Sequence, residues 1–197
     1  MTGHDQSKRK ATMSRYAYPS IALIFAALLT SPTQAEPVQP VKENDPTILN
    51  RYIDMLNAAH LCNWREDYKT RGNHRLKFNE FVQVLEFSCS VSPYNDAHLY
   101  VHLDSRDPDE AALLDFERPP SEPNDDPEVV FNGVWDIETG DLTSFMKGRG
   151  LGDCGTFEVH RFTPQGYPYL LEFRAKTECD GSYDQPENYP VILDRSE

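Results

Sequence analysis

The residues best suited to chemistry in this 197-residue chain form one short run: Lys147, Gly148, Arg149, Gly150, Leu151, Gly152, Asp153, Cys154 and Gly155. Four glycines free the backbone to adopt positive φ, and two cations stand among them. Such a run could cup an anion, with Lys147 and Arg149 lining the cup. The same residues also suit a tight connection between strands, fastened at Cys154 and with Arg149 paired to Asp153. The structural reading is preferred, because a dinucleotide-binding glycine loop opens a helix and no helical pattern follows Gly155. Lys147, Gly148, Arg149, Gly150, Gly152 and Asp153 are therefore a candidate binding loop whose first task is structural.

Other constellations point away from metal and nucleophile chemistry. His98 and His102 have the spacing of two ligands on a helix face. However, Leu99, Val101 and Leu103 alternate with His98, Tyr100 and His102, the pattern of a strand, where four residues span about 13 Å. These histidines are expected on a solvated strand face. Asp104, Asp107, Asp109 and Glu110, like Asp136, Glu138 and Asp141, are rich in oxygen ligands, yet Arg106 and Pro108 fall where a calcium loop needs them. They read as solvated turns, so neither a metal nor a cofactor is expected. No G-x-S-x-G nucleophile motif is present, and a catalytic carboxylate pair among the acids is not something sequence spacing can reveal.

The loop needs strands to hold it. Residues 156–162 and 169–176 have strand character and are joined by Thr163, Pro164, Gln165 and Gly166, a turn signal. Closing that hairpin brings Cys154 and Cys179 to the same end, which predicts a disulfide between them. Cys62 then pairs with Cys89 by elimination, because an even cysteine count in an exported chain implies two bridges. A zinc site is disfavoured, since no C-x-x-C or H-x-x-x-H pair accompanies the cysteines.

Further strands are expected at 81–89, 98–103, 111–116, 128–131, 134–137, 142–146 and 191–193. Before them, Asp45 and Pro46 signal a helix start, and Ile48, Leu49, Tyr52, Met55, Leu56 and Ala59 give one amphipathic helix ending near His60. The expected fold is β-rich α+β: antiparallel sheets, one N-terminal helix lying on a sheet, and two disulfides. Residues 45–197 form a single domain, 36–44 a loose lead-in, and 117–127, with its prolines and acids, a mobile loop.

Residues 1–35 read as a secretory signal peptide. Lys8, Arg9, Lys10 and Arg15 precede an apolar run over 20–30, and small residues lead to cleavage after Ala35. The run is shorter than a spanning helix, no cysteine follows to carry a lipid, and Met13 is an alternative start. Cleavage leaves 15 basic against 31 acidic residues, a net charge of −16. That charge repels nucleic acid and anionic membrane surfaces and favours solubility.

Trp135, Asp136, Ile137, Glu138, Thr139, Gly140, Asp141 and Leu142, followed by the run from Lys147 to Gly155, resemble a family of exported Gram-negative proteins known as domain of unknown function 1176. Cys89 ahead of Tyr94 and Asn95, and Cys179, Asp180 and Gly181 ahead of Tyr189 and Pro190, extend the resemblance over about 81–193. The chain departs from longer members in its shorter N-terminal part, and in having residues 157–160 where a tryptophan-rich strand is expected. The resemblance implies an envelope location and a disulfide-bonded fold and supplies no catalytic residue. The leading expectation is a non-enzymatic periplasmic protein that binds another protein or an envelope component. One alternative is a hydrolase using acids near 148–155; another is an acidic inhibitor of a cationic enzyme such as lysozyme.

Overall fold

Alternation along residues 82–91 decides the architecture, because Leu85, Phe87 and Cys89 on one face and Val82 and Val84 on the other are all buried, so the strand they form needs cover on each side. The computed structural model describes residues 38–45, 47–57, 73–120 and 126–195, all within the unit Glu36–Glu197. In it β1 (Pro40–Lys42), β2 (His74–Lys77), β3 (Val82–Val91), β4 (Asp96–Asp104) and β5 (Asp107–Leu113) make an antiparallel sheet in chain order, and β6 (Val130–Phe131) pairs with β4. A second antiparallel sheet runs β7 (Val134–Trp135), β8 (Leu142–Lys147), β9 (Gly155–Phe162), β10 (Pro168–Lys176) and β11 (Val191–Asp194).

Leu85, Phe87, Cys89, Leu99 and Val101 form one face of the first sheet. They pack with Ile48, Leu49 and Leu56 of α1 (Ile48–Leu56). On the opposite face Leu76, Val84 and Tyr100 meet Leu142 and Phe162 of the second sheet. The fold is thus β-rich with one helix on a sheet, as the periodicities require. Among the described residues no helix is long and apolar enough to cross a membrane.

The predicted strands are present with shifted ends. The helix begins at Ile48, later than Asp45 and Pro46 suggest, because Asp45 Oδ1 turns to accept from the Thr47 N–H and hydroxyl at 2.9 and 2.8 Å. Residues 58–60, where its end was expected, lie outside the described residues. The lead-in is not loose throughout: β1 pairs with β2, and Arg75 of β2 binds Glu43. Of the 117–127 loop, Glu117 is paired with Arg195, and Phe116 N–H donates to Pro127 O at 2.8 Å. Residues 121–125 lie outside the described residues.

The histidines correct the sequence reading most clearly. His98 and His102 sit on a strand, but its face is the one covered by the second sheet, not solvent. His102 is 5% exposed, stacks on Tyr167 with ring centroids 4.5 Å apart, and donates Nε2–H to Gln165 O at 2.8 Å. His98 shares the buried Glu86 with His74 and Tyr100. His74 Nδ1 lies 2.6 Å from Oε2, the Tyr100 hydroxyl donates to Oε1 at 2.9 Å, and His98 Nδ1 is 3.2 Å away without an aligned hydrogen bond. Burial would raise the Glu86 carboxyl, but His74 and His98 outweigh it and hold the pKa down to about 2. The hydrogen bond to Glu86 raises His74.

Candidate functional site

The β9–β10 hairpin does bring the two sulfurs together. Gly155 pairs with Lys176, and Cys154 and Cys179 just beyond form a disulfide with Cα atoms 4.9 Å apart. This is the one bridge found among the described residues; the expected Cys62–Cys89 bridge lies outside them, because Cys62 does. Asp153, Cys154 and Cys179 crowd one point, but with both sulfurs in the bridge neither is a thiolate ligand.

The loop between β8 and β9 is held by its own charges. Asp153 is fully buried and accepts from Arg149 Nε at 2.7 Å, from Arg149 Nη2, and from the Gly181 N–H at 2.6 Å. These donors, Arg149 first, keep its carboxyl well below the usual range. Arg149 also donates to Cys179 O at 3.1 Å. One ion pair therefore ties the loop, the disulfide and the segment after β10 together. The Tyr189 hydroxyl adds a bond to Gly152 O at 3.2 Å.

The glycines serve different needs. Gly152 has φ +69°, which a Cβ would strain. Gly148 is required by proximity instead, since a Cβ there would lie 2.8 Å from Cys154 Sγ. A Cβ on Gly150 would stand 3.4 Å from the Tyr94 ring, an ordinary contact.

Asn95 and Asn132 fix the loop from the other side. Asn95 accepts from Lys147 N–H at 2.9 Å and donates to Lys147 O at 2.9 Å, as a neighbouring strand would. Asn132, held at φ +48°, donates to Phe145 O at 2.7 Å. This is tolerable for an asparagine, which enters the left-handed region more readily than most residues. Together the two amides satisfy β8 where β7 stops.

These supports leave an open groove of about 500 Å³. Its floor is Phe145 and Phe157, one wall is Gly150, Leu151 and Gly152, and the other is the stretch from Tyr183 to Glu187, which carries a 3-10 turn (Pro186–Asn188). Leu151 and Tyr183 are 58% and 60% exposed. Lys147 lines the groove, and its ammonium forms no ion pair or hydrogen bond among the described residues. Of the predicted loop, then, Arg149 and Asp153 are occupied structurally, while Lys147, Gly150 and Gly152 face the groove. Tyr183, Gln185 and Glu187 were not legible in sequence: long-range contacts such as Gly181 N–H to Asp153, the Tyr189 hydroxyl to Gly152 O and the Phe145–Tyr189 ring contact bring their segment across.

The chain matches the family described as "Protein of unknown function (DUF1176)" over residues 15–192, a longer span than the motifs suggest. It is 26% identical over 110 residues to the uncharacterized protein YpfG of Escherichia coli (strain K12). That alignment covers 55% of this chain and 31% of the relative, so the chain spans about a third of the relative's length. No solved structure matches the chain.

Proposed function

With the chain a member of the DUF1176 family, whose description names no activity, we propose that it is a non-enzymatic binding module whose binding face is the groove beside the 147–155 loop. The observation that carries this reading is the pairing of a concave surface lined by Phe145 and Phe157 with a cross-linked frame: disulfide, ion pair and asparagine clamp hold the loop and the segment after β10 in place around it. Binding sites are largely preformed in this way. The acid nearest the loop, Asp153, is buried and committed to Arg149 and Gly181, which counts against a hydrolase built on it. The reading includes export to the periplasm after cleavage at Ala35, a partner that is a protein or envelope component, and a second disulfide, Cys62–Cys89.

The test compares wild type with Leu151→Asp, an exposed substitution that should leave the fold intact. Both are immobilised and exposed to periplasmic extract at 0.15 M salt. A component retained by wild type and lost by the variant supports the groove. Equal retention by both refutes it.

A further inference from the structure

The groove lies on a strongly acidic protein, yet its polar inventory on the loop side is cationic. Each of the eight arginines among the described residues is in an ion pair with a carboxylate, and Lys176 is paired with Asp180. Lys42, Lys77 and Lys147 have no such partner among the described residues, and of these three Lys147 lines the groove. Its stem lies alongside Gly152, with Cδ 3.7 Å from where a Cβ would stand. In the same loop the N–H groups of Gly150 and Leu151 donate to nothing among the described residues. The donors of Asn132 and Thr143 are spent on Phe145 O and Val134 O, and Glu187, the one carboxylate lining the groove among the described residues, belongs to the segment after β10 and not to the loop.

From this juxtaposition we propose that the groove takes an extended apolar peptide that ends in a free carboxylate, the carboxylate seated at Lys147 and the Gly150 and Leu151 amides, the side chains lying on Leu151, Tyr183, Phe145 and Phe157. A carboxylate receives a charge-assisted bond from the ammonium and two more from backbone amides. Glu187 fixes the polarity, because a carboxylate beside it would meet a like charge. A peptide fits better than a fatty carboxylate because the groove is open: it leaves a peptide backbone solvated, whereas an acyl chain would remain in water. The inference rests on the groove being the binding face.

The test uses N-acetyl-Leu-Phe-Ala-Leu as free acid and as C-terminal amide, with sodium decanoate as the lipid-like control, at 0.15 M salt. Binding is followed by NMR shifts of the Gly150, Leu151 and Gly152 amides. The free acid should move these amides and bind about fivefold more tightly than the peptide amide, as one partly exposed charge contact is worth. Lys147→Gln should sharply reduce that difference, leaving only the share the backbone amides supply, without changing Tm, since the ammonium has no partner to lose. Equal binding of acid and amide at these residues would overturn the carboxylate anchor while leaving the groove reading in place. Decanoate binding in place of the peptide would overturn the peptide assignment. No shift at these amides with any probe would overturn the groove reading as well.

Discussion

Replacing Gly155 with alanine should be among the most damaging single-methyl additions in this protein. Gly155 opens β9 opposite Lys147 at φ +146°, and an added Cβ would stand 2.1 Å from Met146 O and 3.1 Å from Gly148 N. Both neighbours are backbone of the paired strand, so neither can rotate away. The variant has to bear backbone strain of about 1–3 kcal/mol, and the displaced strand gives up the Gly148 N–H to Cys154 O bond of 2.9 Å, a net loss of about 1 kcal/mol. A total near 3 kcal/mol lowers Tm by about 6–12 °C in a domain of this size. Gly181→Ala is the control: it too has positive φ, +83°, but no atom lies within 4 Å of the new Cβ, so its cost is conformational, about 1 kcal/mol. Thermal unfolding under oxidising conditions, followed by circular dichroism, compares the two. If Gly155→Ala melts within 2 °C of Gly181→Ala, the close approach of β8 and β9 does not carry the weight assigned to it.

The Glu86 cluster should give stability a maximum in mildly acidic solution. Glu86 is depressed to about 2, so its contribution is present above the ordinary carboxylate range and is lost as pH falls through that range towards 2. His74 is raised, so its contribution is present below about 6.5 and is lost as pH rises through its folded-state value. Glu86→Gln should flatten both limbs of a Tm–pH profile; unchanged limbs would remove Glu86 from the account. Hen-type lysozyme should bind the protein prepared without residues 1–35 at 0.01 M salt, drawn by its −16 charge, and be mostly released at 0.15 M as the Debye length contracts from about 30 to about 8 Å. A lysozyme activity titration at both salts measures this, and strong inhibition persisting at 0.15 M would revive the inhibitor reading.

What the sequence made legible was local. The β9–β10 hairpin carries its own turn signal, strand alternation and flanking cysteines, and each of those depends on residues a few positions apart. The faces of β4 were not legible: alternation separates His98, Tyr100 and His102 from Leu99 and Val101, but cannot say that a second sheet covers the polar set. Nor were β1 and β2, because their few residues, including Lys42, His74, Arg75 and Lys77, lack an apolar period and are held by pairing and by the ion pair of Arg75 with Glu43. At the site, the loop was visible as a glycine cluster, whereas its far wall depends on contacts across 28 and 37 positions. Asn95 and Asn132 had no sequence signal for their role, since an asparagine that imitates a strand looks like any turn residue.

The asparagine clamp also governs how molecules of this protein can meet. A strand that outlasts its neighbour ordinarily presents bare amides and carbonyls on which another chain can template itself. Beyond the two residues paired with β7, β8 would be such a place, but the Asn95 and Asn132 side chains already fill the hydrogen-bonding positions at Phe145 and Lys147. Growth of the second sheet into a fibre or a swapped assembly is therefore blocked along this stretch of β8 and left to the border strands, the two-residue β7 and the longer β11, which turns Val191 and Ile192, 50% and 47% exposed, toward solvent.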